Sequence, residues 1–212
     1  MTKYGKITAG LLAVWFVAAL SASAAHLFVN GSAQLGIGVA IAALAPMILF
    51  SLWLAASEGF RNFALSLNPK ILTSVQVWRI VGFTFLLLQA RSVLPAIFAW
   101  PAGYGDMFIG ATAGFVAWKL AEPGHRNSFI FWQALGILDL VTAVSLGTTA
   151  GLLDPHGPSM LPMTVLPLSL IPTFLVPLFL MLHVICIAQA RSWRAGSLLR
   201  RRVAEPLHHP AI

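Results

Sequence analysis

At 212 residues, with 58% hydrophobic and 9% charged side chains, the chain lacks the polar groups to cover a water-soluble globule; soluble domains carry about 25% charged residues. Its net charge of +7 does not indicate nucleic acid as a partner, because the basic residues lie in segments between apolar spans. The one cysteine, Cys186, excludes a disulfide framework or a thiolate metal site within one chain, and it reads as a small buried apolar residue.

A bilayer core of about 30 Å needs about 20 apolar residues per helix. Six stretches qualify in chain order: 7–29, 35–56, 75–99, 107–121, 129–151 and 161–188. The fourth is short, and its start lies nearer Pro101 or is irregular. The expected fold is all-α: one polytopic helical domain over residues 1–190, followed by a basic tail, 191–212.

The first span follows Lys3 and Lys6 and ends near Ala22, Ser23 and Ala24. A cleaved signal peptide with an A-x-A site is the rival reading there, but the apolar stretch is long enough to span. After the second span come Arg61 and Lys70, with a break at Asn68 and Pro69. Thr73 and Gln76 have the spacing of a capping box, which would open the third helix. Lys119 and Arg126 separate the fourth and fifth spans, with Asn127 and Ser128 placed to cap the fifth. Asp154, Pro155 and Pro158 break the chain before the sixth. Arg191, Arg194, Arg200, Arg201 and Arg202 close the ledger. No Lys or Arg falls in the first, third or fifth loop, so the positive-inside rule puts both termini in the cytoplasm. Trp53, Trp78, Trp118 and Trp132 at one set of ends, and Trp100 and Tyr104 at the other, form aromatic belts. Trp15 alone sits mid-span. This is the pattern of a multi-pass protein of a bacterial plasma membrane.

Charged side chains within spans cost about 2.5–3.5 kcal/mol each on insertion scales, so each needs a reason. Arg79 and Arg91 both fall in the third span and Asp139 near the middle of the fifth. Arg91 lies roughly 7 Å outward of the midplane and Arg79 roughly 10 Å inward. Arg91 is therefore expected to organise the core, pairing with Asp139 or Asp106, while Arg79 snorkels to cytoplasmic headgroups. Asp139 shares a face with Gly136, Ala143 and Gly147 and points into the bundle. Asp106 is an outer-face carboxylate that could equally be a helix N-cap. Gly110 and Gly114 form a GxxxG packing pair.

The sixth span carries Pro162, Pro167, Pro172 and Pro177. Each removes an N–H and frees the carbonyl four residues back: those of Met163, Leu168 and Thr173. Ser169, Thr173 and His183 fall on one helical face within about 80°. A kinked helix with free carbonyls and a polar stripe suits a cation or substrate path, or a bent packing helix. Haem is not expected, because His183 has no second buried histidine at its depth. No Walker loop, dinucleotide fingerprint, metalloprotease pair or nucleophile elbow occurs, and no cofactor or metal is expected.

Three functional classes follow. The first is a small-molecule or ion carrier whose candidate site residues are Arg91, Asp139, Asp106, Arg79, His183, Thr173 and Ser169. The second is a non-catalytic membrane subunit or assembly factor, with a protein partner or a second copy, whose buried charges are structural. The third is a membrane-embedded enzyme or redox protein. The basic tail is expected to lie on anionic lipid.

Overall fold

The hydrophobic runs form helices because lipid-like surroundings leave backbone polar groups no partner but their own chain. The computed structural model describes residues 2–29 and 36–204, and among these there is no strand. Helix α1 (Lys3–Ala24) starts where the Thr2 hydroxyl accepts from the Gly5 N–H at 3.1 Å. Helix α2 (Ile37–Ala56) runs back, and a short amphipathic helix, α3 (Glu58–Ser66), follows it, capped by the Ser57 hydroxyl on the Phe60 N–H. Then come α4 (Pro69–Ala90), α5 (Ala96–Lys119), α6 (Arg126–Leu153) and α7 (Val176–Ala204), the last preceded by one π-turn, Ile171–Leu175. Five of these helices are long and apolar enough to cross a membrane: α1, α2, α4, α6 and the run from Ile171 to Trp193. The basic tail falls mainly on side chains outside the described residues, as do His208 and His209.

The expected third span, 75–99, is corrected. Helix α4 opens six residues earlier, because Pro69 suits a first helical position and the Asn68 side chain accepts from the Lys70 N–H at 2.9 Å. Thr73 is therefore no cap and lies fully buried inside the helix. At the other end the helix stops at Ala90. Ser92 is left-handed, with φ 56°, and its N–H reaches the Gln89 carbonyl while that of Val93 reaches Leu88, at 2.8 and 2.9 Å. That is a Schellman closure, and Pro95 then holds Leu94 out of the helical region. Arg91 consequently sits in the exposed turn between α4 and α5 rather than inside a span.

The fourth span is also longer than expected, beginning at Ala96 rather than Met107. Asn127 and Ser128 do not cap α6, since its first residue is Arg126 and no side chain caps it. The last span is shorter. Residues 161–164 form a 3-10 turn, followed by turns; Met160 and Met163 are buried beside Phe85, Phe98 and Ala102, and Thr164 is fully buried. Continuous helix begins at Ile171.

Of the carbonyls that proline would free, Thr173 keeps that role. It accepts the indole N–H of Trp15 at 3.2 Å, which explains a tryptophan in the middle of α1. The Leu168 carbonyl accepts from the Ile171 N–H at 3.0 Å.

Three apolar clusters hold the bundle. One joins Leu72, Ile109, Val116, Phe129 and Ile185; a second joins Phe85, Leu94, Phe98, Ala150 and Met160; a third joins Leu140, Val176, Phe179 and Leu180. Along α4, α5 and α6, Arg79, Asp106 and Asp139 fall between residues of the first two.

Candidate functional site

The middle of α4, Val75–Gly82, is wound as a 3-10 helix. With three residues per turn, positions three apart eclipse one another. Gln76, Arg79 and Gly82 are accordingly stacked on one buried line, with Thr73 one turn before them. This winding turns Arg79 into the bundle. The expectation that Arg79 snorkels is therefore wrong, and so is the expectation that Arg91 organises the core: Arg79 is 2% exposed.

Three helices bring partners to that guanidinium. Its Nε donates to Asp106 of α5 at 2.7 Å, and its Nη2 donates to Asp139 of α6. Its Nη1 donates to the Gly136 carbonyl at 3.4 Å and faces His183 Nε2 of α7 at 3.3 Å. The carboxylates are less enclosed than the cation, with 16% and 14% of their side-chain surface exposed against 1% for Arg79.

Glycines make this convergence possible. A Cβ on Gly105 would collide with the Asp139 carboxylate, and one on Gly136 with the His183 imidazole. On α5, Gly103 lies against the Gly82 carbonyl and Gly110 against the α4 backbone at Ile80. Asp106 lies between these two contacts, so close backbone packing of α5 on the 3-10 segment delivers it to Arg79. The GxxxG reading holds for Gly110 alone, because Gly114 faces open space.

A second polar layer supports His183. Arginine only donates, so Nε2 of the imidazole accepts and its proton sits on Nδ1, which donates to Gln133 Oε1. The Gln133 amide then donates to Thr73 Oγ1 at 3.1 Å, and Thr73 meets Cys186 Sγ at 3.8 Å. The sequence does not single out Gln133, and it marks Thr73 and Gln76 only as a capping box, because uncharged polar residues carry a smaller insertion penalty and stand out less. Their signal was spacing: Gln133, Gly136 and Asp139 repeat every three residues along α6.

Ser169 and Thr173 are fully buried but do not join this site. The Thr173 hydroxyl donates to the Ser169 carbonyl at 2.7 Å, and none of their hydrogen bonds reaches Arg79, Asp106 or Asp139. Among the described residues no group of three or more His, Cys, Asp or Glu is placed to hold a metal ion.

Fold and site together define an α-helical protein with several helices fit to cross a membrane and an arginine clamped between two carboxylates in its interior. The family model described as Domain of unknown function (DUF8737) matches residues 32–191, and the chain belongs to that family. The matched stretch contains every residue of the polar cluster. No curated protein and no solved structure matches the chain.

Proposed function

We propose that the protein spans a bacterial plasma membrane six times, with both ends in the cytoplasm, and carries a small cation or a protonated solute through its polar core. The sixth span in this reading is α5, whose 24 residues reach about 36 Å at the helical rise. Its Trp100, Gly103, Gly105 and Asp106 lower its hydropathy without shortening it.

The observation that carries the reading is the charge count at Arg79. One enclosed guanidinium faces two carboxylates on different helices. The cluster is one positive charge short of neutrality, and an uncompensated charge in hydrocarbon is costly. A proton or a small monovalent cation restores the balance. The carboxylates, being less enclosed than Arg79, are where it would enter. Arg79 fixes the two carboxylates, Asp139 and Asp106 take the charge, and His183 holds the guanidinium from the far side.

The test uses purified protein in liposomes that enclose a pH-sensitive dye, challenged with gradients of Na+, K+ or Li+. Cation-dependent proton movement is expected from the native chain and should be lost in Asp139→Asn that still elutes as folded protein. No such movement by folded native protein would remove the carrier reading.

The enclosure of Arg79 favours a second reading, a non-catalytic subunit whose cluster only fixes helix register. In that case mild-detergent purification recovers a stoichiometric partner, and Asp139→Asn loses that partner rather than a transport activity.

A further inference from the structure

The Arg79 guanidinium divides one edge between two carboxylates. Its Nε–H and one Nη2–H run parallel along that edge, which a single carboxylate ordinarily fills with both of its oxygens. Here the Nε–H goes to Asp106 Oδ1 at 2.7 Å and the Nη2–H goes to Asp139 Oδ2. Two carboxylates, one from α5 and one from α6, therefore stand side by side where one would fit. Among the described residues, neither Asp106 Oδ2 nor Asp139 Oδ1 has a hydrogen-bond donor of its own. Like charges about 3 Å apart do not both ionise, and one of the two carboxyls keeps its proton.

Other ways of balancing the charge fit the geometry less well. Among the described residues, the charged or titratable side chains facing the pair are Arg79 of α4 and His183 of α7. His183 cannot take the extra proton. Its Nε2 accepts from Arg79 Nη1 at 3.3 Å and its Nδ1 donates to Gln133, so a second proton would set an N–H against the guanidinium. A metal ion needs several oxygens around it and room for its own radius. Space at the two free oxygens is taken by glycine backbone instead. A Cβ on Gly105 would coincide with Asp139 Oδ1, and one on Gly82 would lie 3.1 Å from Asp106 Oδ2. A proton needs no room beyond that of the oxygens that hold it.

We infer that Asp106 and Asp139 are a carboxyl pair that shares one proton across the Arg79 edge. One carboxyl is protonated, and its O–H donates to the carboxylate beside it. With Arg79 positive, one carboxylate negative and His183 neutral, the four side chains sum to zero, the state that costs least in hydrocarbon. The proton arrives from water and returns to water, and only an O–H bond forms or breaks. This names the bound charge of the carrier reading as a proton, and it rests on that reading only for the proton's being cargo. The sharing itself stands on the divided edge and on the glycine contacts.

The experiment is infrared difference spectroscopy of the full chain in mild detergent, in water and in heavy water. The native protein should show one protonated-carboxyl C=O band that moves down on deuteration. Asp106→Asn and Asp139→Asn each leave one carboxylate opposite Arg79. The new amide keeps a C=O to accept from the guanidinium and an N–H in place of the acid O–H. Both variants should keep a near-native melting temperature, and both should lose the band. That double loss marks sharing, because a proton owned by one residue would survive removal of the other. If either variant fails to fold, Asp139→Glu in protein labelled with carboxyl carbon-13 aspartate gives the two carboxyls different frequencies. The shared proton should then contribute intensity at both. Absence of the band from the native protein would overturn the inference. So would a band kept in either folded asparagine variant, or intensity at one frequency alone in the glutamate variant. The band without transport in liposomes would remove the carrier and keep the shared proton, whereas transport without the band would do the reverse.

Discussion

Arg79 combines two opposed facts: it is the largest fully buried side chain, and it is the kind of side chain a membrane interior tolerates least. Its fork resolves the conflict by giving separate N–H groups to Asp106, Asp139 and the Gly136 carbonyl. A point charge cannot do this, so Arg79→Lys should fail to rescue. Removing one partner of a buried pair costs about 3–5 kcal/mol because the other charge is left stranded. Arg79→Gln should therefore lower the melting temperature in detergent sharply, while Arg91→Gln, an exposed turn residue, should stay within about 0.5 kcal/mol of the native chain. The reverse order would refute the assignment of Arg79 as the organising cation. The sequence marked both arginines but ranked them by depth alone. Depth along a continuous α-helix misplaces both, and neither the 3-10 winding nor the closure at Ser92 is visible in a hydropathy run.

His183 makes a finer prediction at the same scale. The Arg79 Nη1 donor and the Gln133 acceptor leave one arrangement in which both partners are matched, with the imidazole proton on Nδ1. Nitrogen chemical shifts of labelled histidine in the folded protein should show that tautomer. Gln133→Leu removes the acceptor but leaves the Arg79 donor in place, so the proton should stay on Nδ1, now without a partner. The variant should lose about 1–3 kcal/mol of stability for the buried donor left unmatched. A proton found on Nε2 in folded Gln133→Leu would show that Arg79 does not set the tautomer.

At the scale of elements, the contacts that matter most are made where side chains are missing. Helix α5 meets the 3-10 segment of α4 at Gly103 and Gly110, and α6 meets His183 at Gly136. Gly110→Ala would press a methyl onto the Ile80 backbone, which cannot turn aside. Overpacking of this kind costs about 1–3 kcal/mol. Gly114→Ala, one turn further along the same helix, meets open space and should stabilise by up to about 1 kcal/mol through helix propensity. Melting temperatures of the two variants test whether the α4–α5 seam is as described, and equal effects would contradict it. The GxxxG motif marks a small-residue face but not its phase. Position 110 lies on the α4 backbone, whereas position 114 opens on a surface groove lined by Lys70, Trp78 and Trp118. The prolines of the last span were similarly half legible. Pro177 frees a carbonyl as expected, but the acceptor is filled from α1 rather than left open to a permeating ion.

For the molecule as a whole, the all-helical architecture was written in composition. Apolar runs of about 20 residues have few alternatives to helix in hydrocarbon, so an all-α fold with several helices fit to cross a membrane followed. The boundaries at 90–96 and 161–170 did not, because a Schellman closure and a folded-back 3-10 turn can themselves be built from apolar residues. This shift puts one cation, Arg91, into a turn that the proposed topology places outside, on the same side as His26 and Asp154. A single arginine does not reverse a bias carried on the other side by Lys3, Lys6, Arg61, Lys70, Lys119 and Arg126. The prediction is specific to the break. In a Cys186→Ser background, Ser92→Cys and His156→Cys should react with a membrane-impermeant maleimide from outside intact cells. Gly124→Cys should react only after permeabilisation. If α5 failed to cross, Ser92 and Gly124 would be labelled from the same side. If the run 75–99 were one unbroken span, Ser92→Cys would lie in hydrocarbon and stay unlabelled from either side.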